Sequence, residues 1–126
     1  MDKANFSKSE AFKRRLYQFV LRLIRFIEKL PENRTTRIIG DQLLRSGTSI
    51  LGNYIEGKSA SSKRDYINFF NHSLKSANES KVWLTILRDL NYGDKKEAEW
   101  LLNELNEISR IFASSILTLK GKRKSI

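Results

Sequence analysis

Residues 7–31 read SKSEAFKRRLYQFVLRLIRFIEKLP, and this stretch decides the fold class. Ser7 and Glu10 make an S-x-x-E capping box, in which each side chain can satisfy an amide left without a partner at a helix start. Apolar residues then recur at Phe12, Leu16, Phe19, Val20, Leu23, Phe26, Ile27 and Leu30. Steps of three and four place them on one side of a helix with a single buried stripe. Pro31 ends it, because the residue before a proline resists the helical region. The predicted helix covers 8–30.

The same reading extends along the chain. A second helix over 35–56 starts at Thr35 or Thr36, either of which can cap it. Its stripe is Ile39, Leu43, Ser46 or Gly47, Ile50 and Tyr54, and Gly57 is the expected C-cap. Gly40, Gly47 and Gly52 lie inside it at a cost of about 1 kcal/mol each against alanine, which close approach of a neighbouring helix would offset. Ser62 and Asp65 begin a third helix over 63–90, with Ile67, Phe70, Leu74, Ala77, Leu84 and Leu87 on one face. The Asn91-Tyr92-Gly93-Asp94 turn leads to a fourth over 95–119, carrying Trp100 or Leu101, Leu105, Ile108, Phe112, Ser115 or Ile116, and Leu119. Gly121 closes it, and 120–126 is a short basic tail. Long helices on short connections predict an all-α, antiparallel up-down-up-down four-helix bundle in one domain, 1–126.

Composition narrows the chemistry. The 126 residues contain no cysteine, one histidine and one proline. That removes disulfides, thiolate metal sites and a cysteine nucleophile, and it removes multi-histidine metal sites. The acid–base candidates Glu56, His72 and Glu79 form no motif: His72 and Glu79 stand two helical turns apart, and Phe69 occupies the place where a di-metal bundle needs glutamate. No phosphate-binding glycine loop is present. No enzyme activity, metal or cofactor is expected. The N-terminal residues lack the apolar stretch of a signal peptide, and no apolar run approaches the ~20 residues that span a bilayer. A cytoplasmic protein without membrane contact is expected.

The net charge is +10 and the pI about 10.0. Lys8, Arg15, Arg22 and Lys29 repeat every seven residues along the first helix, flanked by Arg14 and Arg25. Acidic residues one turn away are scarce, so the row reads as unpaired like charges that a polyanion would relieve. Lys120, Lys122, Arg123 and Lys124 extend the basic field. The row fits a phosphate-backbone contact surface. It also fits a solvated helix face, or a contact with acidic residues such as Glu97, Glu104 and Glu107 on a partner subunit. On the second helix, Gln42, Arg45, Ser49, Asn53 and Glu56 share a face richer in small and amide side chains than a free surface. They fit a subunit interface or binding groove and an intrachain helix contact equally well. Trp83 and Trp100 read as packing residues.

The run Gly40-Asp41-Gln42-Leu43-Leu44-Arg45-Ser46-Gly47-Thr48-Ser49-Ile50, followed by Asn53 and Glu56-Gly57, resembles the four-helix-bundle proteins encoded in intervening sequences of bacterial 23S rRNA genes, also called the S23 ribosomal protein family. Ser62, Asp65-Tyr66, Phe69, Lys75, Ala77, Asn78-Glu79 and Trp83-Leu84 match that family's third helix, with Ser76 where glutamate is frequent. The resemblance spans roughly Phe12 to Leu119. It implies a four-helix bundle that assembles into a homopentameric ring. It also implies a likeness to the accessory variability protein of diversity-generating retroelements, a basic pentamer that binds a reverse transcriptase and nucleic acid. The expected partners are therefore nucleic acid (structured RNA first, DNA second), further copies of the chain and, as the alternative role, a reverse transcriptase.

Overall fold

The computed structural model describes residues 7–121. They form four helices: α1 (Lys8–Glu28), α2 (Arg34–Lys58), α3 (Lys63–Asp89) and α4 (Lys95–Leu119). Every regular element among the described residues is helical, and the bundle is all-α. Each helix has a sequence-encoded start. Ser7 Oγ accepts from the Glu10 amide, Ser62 Oγ from the Asp65 amide and Asp94 Oδ2 from the Glu97 amide. The start of α2 differs from expectation. Asn33 is its cap, accepting from the Thr36 amide, while Thr36 Oγ1 accepts from the Asn33 amide, so the threonine occupies the third helical position of a reciprocal box.

Two ends also differ. α1 stops at Glu28, with Lys29 as cap, although Leu30 remains buried. Gly57 is no C-cap: α2 continues to Lys58 and ends on Ser59. Gly57 instead lies buried with Phe69 and Phe70 so near that an added Cβ would sit 3.1 Å from each. Its value is close approach to α3. Gly47 does the same against α1, where a Cβ would collide with Leu23 Cδ2. Gly52 faces open space, so the expectation of close approach fails there within the chain. In the α3–α4 turn Gly93 adopts φ +83°, in the left-handed region, and an added Cβ there would collide with the Phe26 ring.

Four aromatic rings, one from each helix, tie the end where α1 and α3 begin. Phe112 lies 5.4 Å from Phe12 and 5.2 Å from Phe70, and Tyr54 lies 5.2 Å from Phe12. The edge-on rings at these separations gain energy beyond area burial. Leu16, Phe19, Leu23, Leu43, Ile50, Leu84, Leu101, Leu105 and Ile108 fill the middle without exposure. Between α2 and α3 the core is partly polar. Ser46 Oγ and Ser80 Oγ are 2.7 Å apart, and Ser73 Oγ donates to the Ile50 carbonyl at 2.9 Å. All three serines are buried, and their hydroxyls are bonded, so small side chains let the helices approach without leaving polar atoms unsatisfied.

Candidate nucleic-acid interface

The heptad row on α1 is divided by the fold. Lys8 is exposed at one end of the helix, and Arg25 and Lys29 are exposed at the other. Between them, Arg15 and Arg22 turn onto α4. Arg15 Nε and Nη2 donate to the two oxygens of Glu104 at 2.7 and 2.9 Å. Arg22 grips Glu97 in the same forked manner, with Nη2 3.0 Å from Oε1. Its guanidinium also lies 3.5 Å from the centroid of the Trp100 ring. The hydrogen bond to each glutamate raises the pKa of both arginines above the ordinary guanidinium value, opposed by partial desolvation.

The unpaired row is therefore corrected: its two central members are bidentate ion pairs within the chain. The acidic side of α4 meets α1 of the same molecule, so Glu97 and Glu104 are already committed. Glu97 and Glu104 are the partners the sequence offers, but on another subunit, because spacing along α1 does not place them in the same chain. The available signal was long-range. The two arginines are seven residues apart, and so are the two glutamates, in the reverse order that antiparallel helices require. Both pairs are partly solvated, which limits each to about 1 kcal/mol.

Arg14 lies exposed on α1 beside a cleft of about 330 Å³ shared with Tyr17, Leu51 and Ile55. Arg25 and Lys29 border a second cleft with Asp94 and Glu97, where the charge is mixed. Lys120 is exposed as the cap of α4. Lys122, Arg123 and Lys124 lie outside the described residues. Sequence reasoning overlooked Lys58, Lys63 and Arg64, all exposed and joined to Lys8 at one bundle end by topology. The up-down connectivity carried that signal, since the end of α2 and the start of α3 must lie beside the start of α1.

The polar face of α2 is partly answered inside the chain. Asn53 Nδ2 donates to the Ser49 carbonyl and hydroxyl at 2.9 and 2.8 Å, and Ser76 Oγ on α3 donates to Ser49 Oγ at 3.0 Å. Gln42 is half-buried, while Arg45 and Glu56 are exposed. Trp83 packs on the core and donates to Glu79 Oε2 at 3.0 Å. His72 is exposed on α3 and Glu56 is exposed on α2. Among the described residues, no group of three or more His, Asp or Glu side chains is arranged to hold a metal ion, and no helix is long and apolar enough to cross a membrane.

These features define a class: a small, basic, antiparallel four-helix bundle whose outer helices α1 and α4 are clasped by arginine–carboxylate forks. Within that class the chain belongs to the 23S rRNA-intervening sequence protein family, whose model matches residues 8–114. It is similar to the crystal structure of a protein with unknown function from the S23 ribosomal protein family of Bacteroides thetaiotaomicron VPI-5482. The two are 33% identical with a TM-score of 0.79 over 87% of this chain and 98% of that one. Comparison with curated proteins finds no match.

Proposed function

We propose that the chain is a non-enzymatic, cytoplasmic nucleic-acid-binding protein that works as a homo-oligomer, with structured RNA as its preferred ligand and DNA second. The observation that carries the reading is the cationic charge left at the surface after internal pairing. Arg15 and Arg22 are consumed by α4, yet Lys8, Lys13, Lys58, Lys63, Arg64 and Lys120 remain exposed on a chain of net charge +10. Such a surface attracts phosphate backbones with little sequence preference, because phosphate contacts carry no base information.

The family's name, which refers to ribosomal RNA genes, agrees with RNA but does not assign a ligand. Two features support self-association: the cleft between α1 and α2, where Tyr17, Leu51 and Ile55 lie among Glu10, Lys13 and Gln18, and Gly52 on the exposed side of α2 with nothing within 4 Å of its Cβ position. A helix that retains an exposed interior glycine at a propensity cost has room for a neighbouring chain there. A pentameric ring would bring Gln42, Arg45 and Glu56 near that contact. The test is fluorescence anisotropy with a labelled hairpin RNA and a duplex DNA at low salt. Saturable binding to both, tighter for RNA, is expected. Binding to neither contradicts the reading.

A further inference from the structure

The surface charge is distributed unequally between the two ends of the bundle. A cut through the helix midpoints separates residues 7–18, 46–76 and 107–121 from the rest of the described chain. At that end α1 contributes Lys8, Lys13, Arg14 and Arg15 against Glu10. The α2–α3 region contributes Lys58, Lys63, Arg64 and Lys75 against Glu56 and Asp65, and α4 contributes Arg110 and Lys120 against Glu107. With Arg15 and Glu104 set aside as an ion pair that straddles the cut, nine cations face four carboxylates at this end, whereas at the other end ten cations face eight. The bundle is electrically polar, with its positive pole where α1 and α3 begin.

That pole also holds a cleft with the right furniture for a base. About 320 Å³ opens between the ends of all four helices, with Phe12 and Tyr66 on its walls and Lys8 and Lys58 at its edge. Lys58 Nζ donates to the Tyr66 hydroxyl at 3.0 Å and stands 5.3 Å from the ring centroid, so the cation is held at the hydroxyl edge of the aromatic ring. Tyr66 is half-buried, propped against Phe70 at 4.6 Å between centroids. Ser9, which exchanges a hydrogen bond with Tyr54 at 2.9 Å, and Ser115 add hydroxyls to the same walls. A duplex offers such a cleft only backbone, because its bases are stacked inside. An unpaired nucleotide offers a flat ring for the aromatic wall and a phosphate for the lysines, which is how single strands are held elsewhere.

We infer that the positive pole is the nucleic-acid face, and that the cleft between Lys8, Lys58 and Tyr66 takes an unpaired nucleotide from a loop of the bound RNA. The inference rests on the nucleic-acid reading above and places it on one end of the molecule rather than along α1.

The test compares an RNA hairpin with an open loop and a fully paired duplex of the same sequence, each titrated against the full chain by fluorescence anisotropy. The hairpin is expected to bind more tightly. Replacing Lys8→Gln together with Lys58→Gln should weaken hairpin binding about tenfold and make the salt slope shallower by roughly 1.4, two phosphate contacts on a single strand. Tyr66→Leu should reduce the hairpin preference about tenfold with duplex binding unchanged. Tyr66→Phe, which keeps the ring, should retain the preference and guards against a folding artefact. The paired change Arg25→Gln and Lys29→Gln at the opposite end should leave binding within about twofold. Equal affinity for hairpin and duplex, or loss of binding only in the Arg25 and Lys29 variant, overturns the inference while the nucleic-acid reading stands. A wild-type chain that binds neither RNA removes that reading and the inference with it.

Discussion

The guanidinium of Arg15 and the carboxylate of Glu104 meet through two parallel hydrogen bonds, 2.7 and 2.9 Å long, across the α1–α4 seam. Arg22 and Glu97 repeat the arrangement two turns away. Residues that look like a ligand-binding row along one helix are thus half structural. Arg15→Met should lower stability by about 1 kcal/mol, and a double-mutant cycle with Glu104→Gln should return a coupling of about 0.5–1 kcal/mol. Arg15→Glu should cost more, since it sets a third carboxylate against Glu104 and Glu107. RNA affinity of Arg15→Met, measured below its melting temperature, should stay within about threefold of wild type.

Gly47 and Gly52 sit in one helix with opposite surroundings. A Cβ at position 47 runs into the fully buried Leu23, so Gly47→Ala should destabilise the fold by about 1–3 kcal/mol through overpacking. Position 52 has open space, so in the isolated chain Gly52→Ala should stabilise by about 0.5–1 kcal/mol through helix propensity. Urea midpoints moving in opposite directions check both.

Lys81 on α3 is half-buried, and desolvation, with repulsion from Arg110, lowers its pKa below the ordinary lysine value. The unfolded chain therefore holds this proton more tightly than the folded one. The Lys81 contribution to stability rises as pH climbs through the folded pKa toward 10.5. Lys81→Met should raise the urea midpoint at neutral pH, and the gain should shrink as pH approaches that value. A gain that does not change with pH would assign the effect to packing.

Ile55 is 39% exposed and Tyr17 51% exposed beside the cleft between α1 and α2. Light scattering of the wild type should give a mass several times the 14.7 kDa of one chain. Ile55→Lys should return a folded species of lower mass, because a further cation beside Lys13 and Arg14 would be desolvated among like charges in a subunit contact. A wild type that is monomeric at micromolar concentration would remove the assembly.

The fold was legible because its signals are local. Ser7, Ser62 and Asp94 cap their helices as their spacing requires, and the 3–4 apolar period places Phe19, Leu43, Leu84 and Phe112 in the core. The errors in α2 share a cause. Asn33, Thr35 and Thr36 are all capping residue types, so residue type alone does not say that Asn33 is the cap and Thr36 the third helical residue. Gly57 reads as a terminator by type, but Phe69 and Phe70 need its missing side chain for packing. The site was less legible because charge pairing is tertiary. Whether Arg22 faces solvent or Glu97 depends on the register of α1 against α4, which no window along one helix contains. The clustering of Lys58, Lys63 and Arg64 with Lys8 likewise follows from topology rather than from spacing.

The central claim is electrostatic recognition of nucleic acid, and the salt dependence of RNA affinity tests it most directly. With three or more phosphate contacts, affinity for a hairpin RNA should fall about tenfold or more between roughly 50 and 200 mM monovalent salt, linearly in log–log coordinates. Affinity that is flat across that range, or no binding at the lowest salt, would contradict it.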